Sequence, residues 1–394
     1  MTSWRPVPIL QFDLDTQQGS RVDAQPGDRV WVEVMKSGCV VGVVDAIVDE
    51  GGLSPTSALE IAVRFRDAQP STLPRLPDSE LPRASVIVPT LCRNPPELVR
   101  LVDSLLDLDY PSFEVILVDN RAPGGPPLPE FGDPARVHVF VETRRGASAA
   151  RNMGIAMATG DILAFTDDDA VVNPSWLRVL ATRFATEPDV EGIGGLVLPV
   201  ELHTPAQLWF EEFYGGFSPS YQFEKLSVES MKGVDPMFPY AVGRFGAGCN
   251  MAFRRSTLQR IGGFNPIIGG GTIAKGGEDV ALAIELVSTG GTYAYEPAAV
   301  VRHTHRRTEC EFMQQVFNYG TGLTAMYSAM IMRDPRHLLS IARTFPAGFR
   351  HLTRSAKDRS PSSAPSYPKK TVLVQILGLL YGPLAYIRSI LSAR

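Results

Sequence analysis

The sequence predicts an α/β protein: a mostly parallel sheet flanked by helices, with a small β-rich module before it and an apolar helical tail after it. Three observations carry this reading. Short apolar runs such as Val86-Ile87-Val88 and Val115-Ile116-Leu117-Val118 alternate with amphipathic helical stretches, the pattern of βαβ units. Val30, Val32 and Val34 alternate ahead of a Lys36-Ser37-Gly38 turn into CVVGVV, the pattern of a hairpin. Residues 371–387, TVLVQILGLLYGPLAYI, carry no charge. Four segments follow: 1–66 as the N-terminal module, 67–84 as a proline-rich linker, 85–332 as the main domain, and 333–394 as a basic and apolar helical tail.

With 394 residues, 44% of them hydrophobic and 20% charged, the chain can bury a full core. A net charge of −4 speaks against nucleic-acid binding by bulk electrostatics. Cys39, Cys92, Cys249 and Cys310 lie far apart without a CxxC pair. A thiolate metal site or disulfide framework is therefore not expected, and a reducing cytosol is the default. The opening MTSWRPVPIL has no charged leader before a long apolar run.

Each element has its own signal. In the N-terminal module, Leu59, Ala62 and Val63 are expected on the buried side of a short helix. Residues 67–84 hold four prolines, which stiffen a linker. The first main strand ends at Pro89-Thr90. Asn94, Pro95, Pro96 and Glu97 read as a capping box opening a helix that buries Leu98, Leu101, Val102, Leu105 and Leu106. The second strand ends at Asp119, and the third runs from Val137 to Val141. Gly146 opens a small-residue helix over 147–159 carrying Arg151, and Gly160 is read as its cap. Ile162 to Phe165 form a buried strand that delivers Asp167, Asp168 and Asp169. Asn173-Pro174 start a helix burying Trp176, Leu177, Leu180, Ala181 and Phe184. A further strand covers 192–200, and 205–245 is aromatic-rich and irregular. Residues 246–250, GAGCN, leave room for close approach of a ligand or another backbone. Ser256 caps a short helix ending at Gly262-Gly263. The glycine-dense loop 269–277 reads as a mobile lid and delivers Glu278-Asp279 to the first turn of the next helix. A strand ending near Val301 precedes His303 and His305, and 308–332 form a long helix.

The acidic turn is where chemistry is expected. Ligands of open parallel sheets bind at the C-terminal edge of the strands. Three adjacent carboxylates there repel one another in a partly dry site, and a hard divalent cation relieves the repulsion. Asp119 reads either as a turn former or as a partner of a nucleotide base or ribose. Arg151 reads either as a surface ion pair or as a diphosphate contact. Glu278 and Asp279 suit a helix dipole as well as general-base work. His303 and His305 suit metal ligation or a solvated basic segment.

The segments SVIVPT, VILVDN, RRGASAARNMGI, FTDDD, GAGCNMAFRRSTLQRIGGFNP and GGED, in this order over about residues 84–320, resemble the inverting family 2 glycosyltransferases of the GT-A fold. That resemblance implies a GT-A type, Rossmann-like sheet and transfer of a sugar from a nucleotide-sugar donor, UDP-linked by family weight, to an acceptor hydroxyl. It implies Mg²⁺ or Mn²⁺ as cofactor. Pro89 and Thr90 would wall the base pocket, Asp119 would contact the base, and Arg151 would lie near the diphosphate. Asp167 and Asp169 match the ends of the DxD motif, Asp168 its variable middle position. Asp279 matches the catalytic base, with Glu278 beside it. A histidine completing the metal site fits His303 best and His305 second. No QxxRW motif is present, so one or a few sugar additions are expected rather than processive synthesis. A nucleotidyltransferase or an inert nucleotide-sugar-binding or scaffold module are the alternatives. Segment 371–387 reads as a peripheral membrane contact, interrupted by Gly382-Pro383, or as a helix docked on the protein itself. It makes a lipid-linked or cell-envelope acceptor at the inner face of the membrane the expectation.

Overall fold

The computed structural model describes residues 4–50, 52–343 and 367–393. The alternating valines of the N-terminal module form strands β1 (Ile9–Asp13), β2 (Gln18–Gly19), β3 (Arg29–Lys36), β4 (Cys39–Asp49) and β5 (Gly52–Leu53), ordered β2-β1-β3-β4-β5. The hairpin turn is Ser37-Gly38, with φ of 50° and 75°; positive φ at both central residues matches the twist of the strands it joins. Leu10, Phe12, Val30, Val32 and Val34 make a separate small core under helix α1 (Pro55–Arg64). The face of α1 differs from the expected one. Ala58, Ile61 and Phe65 reach the sheet, while Leu59 and Val63 are 66% and 56% exposed. The row i, i+3, i+7 ending on a large aromatic ring makes the contact, and the aliphatic pair is left on the outer side.

This module is fastened to the main domain. Glu33 is fully buried and accepts both terminal guanidinium nitrogens of Arg302, at 2.6 Å each. Val7 and Trp31 pack with Leu202 and Leu208, and Val40 packs with Leu196 and Leu198. The proline-rich linker lies along the main core through Leu76 and Leu81.

In the main domain, strands β6 (Ala84–Thr90), β7 (Phe113–Asp119), β8 (Val137–Val141), β9 (Ile162–Phe165), β10 (Ala170–Val172), β11 (Val190–Pro199), β12 (Glu224–Leu226), β13 (Met251–Arg254) and β14 (Thr292–His303) form one sheet. Its order is β10-β14-β11-β13-β9-β6-β7-β8, with β12 on β14. Strands β8, β7, β6 and β9 are parallel, as the βαβ pattern requires. Beyond β9 the sheet is mixed, because β13 is antiparallel to both β9 and β11. The chain leaves β11 at the C-terminal edge, and β13 starts at that same edge, with Met251 opposite Phe165, so it can only run back down.

Alternate residues of the buried strands supply two cores. Val86, Val88, Val115 and Leu117 face helices α2 (Pro95–Leu106) and α4 (Trp176–Thr186). Ile87, Ile116 and Val118 face α3 (Ala147–Met157), and the same core continues through α6 (Arg255–Ile261), α7 (Glu278–Ser288) and α8 (Glu309–Arg333). Helix α2 starts at Pro95 and buries Leu98, Leu101, Val102 and Leu105, but the Asn94 side chain makes no capping bond. Gly160 is not the cap of α3, whose last turn closes at Ala158. A β-carbon at Gly160 would lie 2.5 Å from the backbone of Ala84 and Ser85, so the glycine is required by close approach to β6. Helix α5 (Pro205–Trp209) runs into a π turn over Phe210–Tyr214, which packs aromatic rings against Phe312 and Tyr319 of α8. The tail is one continuous helix, α9 (Thr371–Ser392), running through Gly382-Pro383 without a break. It lies along α8, with the Thr324 hydroxyl donating to the Leu379 carbonyl at 2.7 Å. Of the basic stretch before it, 344–366 lies outside the described residues.

Candidate active site

The acidic turn lies between β9 and β10, and strand register decides what faces it. β10 pairs antiparallel with the end of β14, setting Ala170 opposite His303. The His303 Nε2 atom then lies 3.0 Å from Asp169 Oδ1, with Arg306 3.8 Å from the other carboxylate oxygen. Burial opposes the charge on Asp169, but His303 and Arg306 outweigh it and hold the carboxyl down at about 2. Burial likewise pulls His303 down, and the Asp169 carboxylate more than offsets it, leaving the imidazole above its ordinary value.

Asp168 turns the other way. It accepts from the Thr90 hydroxyl at 2.6 Å and the Leu91 amide at 3.2 Å, stapling the acidic turn to the end of β6. Burial pushes its carboxyl up to about 6 against the pull of the Thr90 bond. Thr90 is paired in register with Asp119 across β6 and β7, and Pro89 with Val118. The three residues expected around a nucleotide base therefore sit at adjoining strand ends. Asp119 is clamped by Arg121, which donates to it from Nε at 2.9 Å and Nη2 at 2.7 Å. Those bonds hold the Asp119 carboxyl below the usual range.

Arg151 is the hub. It is 3% exposed, and donates to Asp167 at 3.0 Å from one terminal nitrogen and to Glu278 at 2.8 Å from the other. Burial works against its charge, and Asp167 and Glu278 more than restore it. Glu278 is itself buried, which raises its carboxyl above the ordinary value against the pull of Arg151. Asp279, in the same first turn of α7, accepts from the Gly248 amide at 2.8 Å. A β-carbon at Gly248 would lie 2.9 Å from that carboxylate oxygen and 3.3 Å from Arg151 Nη2. The slimness of GAGCN thus lets a backbone amide reach the acid. The loop before α7 is anchored to α3 instead of lying free: the Ala147 amide donates to Gly270, the Ser148 hydroxyl to Ile268, and the Asn152 amide group to Phe264, all at 2.8 Å.

The structure also brings in Cys249, although the wide spacing of the cysteines speaks against a thiolate site. Its sulfur, an Asp167 oxygen and a His303 ring nitrogen lie within 4.8 Å of one another. Burial pushes the thiol well above its ordinary value. Cys249 is 82 positions from Asp167, so no ligand spacing could have flagged it. His305 does not join this group; its Nε2 lies 2.5 Å from Glu211 of the π turn. The resident donor set of two carboxylates and an imidazole, with a buried His303 Nδ1 lacking a hydrogen-bond partner, fits a divalent cation.

A family model described as glycosyl transferase family 2 matches residues 85–262, the stretch from β6 to the end of α6. Over these residues the chain is similar to the family 2 glycosyltransferases. Its sheet, parallel from β8 to β9 and mixed beyond, is of the α/β kind that the sequence predicts. The chain is 28% identical over 255 residues to the pre-mycofactocin glycosyltransferase of Mycobacterium tuberculosis, covering 63% of this chain and 48% of that protein. It is 28% identical over 225 residues to the glucosyl-dolichyl phosphate glucuronosyltransferase of Haloferax volcanii, covering 55% and 67%. The chain thus spans about half the length of the first relative. Among solved structures, the mannosyltransferase PcManGT from Pyrobaculum calidifontis, in complex with GDP-Man and Mn²⁺, overlays with a TM-score of 0.48 at 20% identity, covering 84% of this chain and 93% of that one. In the main domain, Asp167, Asp169, His303, Arg151, Glu278 and Asp279 come from four separate stretches of sequence and converge at one edge of the sheet.

Proposed function

We propose that the protein transfers a sugar from a nucleotide-sugar donor to an acceptor hydroxyl with inversion, with Asp279 as general base. One observation carries this reading: the buried Arg151 guanidinium joins Asp167 of the acidic turn to Glu278, the neighbour of Asp279. Base and acidic turn therefore share one rigid frame, as a single displacement demands. Asp169, Asp167 and His303 would hold Mg²⁺ or Mn²⁺, which when bound offsets the negative charge of a departing nucleoside diphosphate. Pro89, Thr90, Asp119 and Asp168 form the nucleotide side, with a uridine diphosphate donor proposed.

The chain's own groups divide the remaining work. The first turn of α7 and the Gly248 amide hold the Asp279 carboxylate in place to accept the acceptor's proton. Its placement carries much of the effect. Arg151 and Glu278 fix the first turn of α7 without touching the reacting bond. A lipid-linked or cell-envelope acceptor at the inner face of the membrane is proposed, with contact through the tail. The Haloferax relative, named for a glucosyl-dolichyl phosphate, supports that acceptor class.

The test is release of nucleoside diphosphate from a panel of nucleotide sugars, with water as the slow acceptor, in Mn²⁺ or Mg²⁺ and after chelation by EDTA. Release from one donor that stops on chelation is expected. Release indifferent to EDTA would remove the metal from the account, and no release from any nucleotide sugar would count against transfer.

A further inference from the structure

Helix α9 has two unlike faces. Gly378, Gly382, Ala385 and Ser389 are buried, and the Ser389 hydroxyl donates to the Ile267 carbonyl at 2.6 Å. Glycines at 378 and 382 let its backbone lie directly against Phe317, Thr321 and Ala325 of α8. The outer face carries Leu373, Leu377, Leu380, Leu384, Ile387 and Leu391, each between 50% and 73% exposed. Their spacing of four and three residues keeps them on one stripe over the whole helix. A contiguous apolar stripe of this length on a soluble surface marks an interaction site.

We propose that α9 lies flat on an anionic bilayer, with this stripe in the headgroup–acyl boundary and the glycine face on the protein. It rests on the membrane contact included in the proposed function, and specifies its geometry. The helix has 22 residues, enough length to span. Spanning, however, would require the face now packed on α8 and bonded to Ile267 to be stripped from the protein. The charges select the occupant. Residues 367–393 contain no Asp or Glu, while Lys369, Lys370 and Arg388 are exposed. Lys370 pairs with Glu309 at 2.7 Å and is still 59% exposed, and Arg388 reaches the Tyr381 hydroxyl at 3.0 Å. A second copy of α9 would bring more cations and no acidic flank to meet them, unlike the mixed charges that border helix–helix seams in water. Cations around an apolar stripe complement anionic lipid.

The experiment uses the full chain with vesicles of phosphatidylcholine, alone or mixed with phosphatidylglycerol. Co-sedimentation is expected with the anionic vesicles, weakened by salt and released by an alkaline carbonate wash. Leu377→Glu with Leu384→Glu should abolish it at unchanged melting temperature, since both side chains are exposed. Lys369→Gln, Lys370→Gln and Arg388→Gln should each weaken it, by about fivefold per charge removed. Retention through carbonate would overturn the flat geometry in favour of a span. A dimer in light scattering that dissociates in the glutamate variant would assign the stripe to a second copy instead. A monomer that ignores anionic vesicles would overturn the proposal outright. None of these readouts uses catalysis, so failure of nucleoside diphosphate release counts against the transfer reading alone.

Discussion

Asp279→Asn should bind the donor as the native protein does and lose transfer, with the rate falling by ~10²–10⁴, the usual worth of a positioned general base. The asparagine is nearly the same shape, and its side-chain oxygen can still accept the Gly248 amide now bonded to Asp279. Nothing on the nucleotide side is altered. A change confined to turnover, with nucleotide affinity intact in a binding assay, is the signature of a group that acts only as the acceptor hydroxyl gives up its proton. Turnover equal to that of the native protein would remove Asp279 from the role.

Arg151→Met should destabilise the fold by about 3–5 kcal/mol, read from denaturant unfolding. The guanidinium is 3% exposed and serves two carboxylates, one of which, Glu278, is buried as well. Removing it leaves Glu278 in a dry setting without its cation. The double variant Arg151→Met with Glu278→Gln should recover part of the loss, because the group left behind no longer needs to ionise. A loss below about 1 kcal/mol, the worth of an exposed pair, would contradict the reading of Arg151 as the frame that joins the acidic turn to α7.

What the sequence made legible follows from local physics. The apolar runs at 86–88, 115–118 and 162–165 announce strands buried on both faces, and the structure has them in register on both neighbours. The aspartate triplet follows such a strand and lies at its C-terminal end, between β9 and β10. Features depending on which distant element arrives were not legible. The outward face of Leu59 depends on how α1 meets β3 and β4. Cys249 reaches Asp167 only because β13 runs antiparallel beside β9. The pair between Glu33 and Arg302 joins residues 269 positions apart, and fastens the N-terminal module to the strand that ends at His303. Gly382-Pro383 reads as a helix breaker in isolation, yet the packed face along α8 holds the helix through it. Between the two histidines, position alone left both open, and the family resemblance favoured His303. The register of β10 on β14 brings it to Asp169, while His305 is taken by Glu211.

The central claim is a nucleoside diphosphate held at the acidic turn through a divalent cation, and thermal unfolding tests it most directly. The protein would be melted against a panel of nucleoside diphosphates with and without Mn²⁺, beside Asp169→Ala. A ligand at 100 times its dissociation constant stabilises the native state by about 2.7 kcal/mol, a readily measured shift. The account predicts stabilisation by one diphosphate that requires the metal and disappears in Asp169→Ala. A folded protein indifferent to every diphosphate, or one stabilised equally without metal and in the variant, would contradict it.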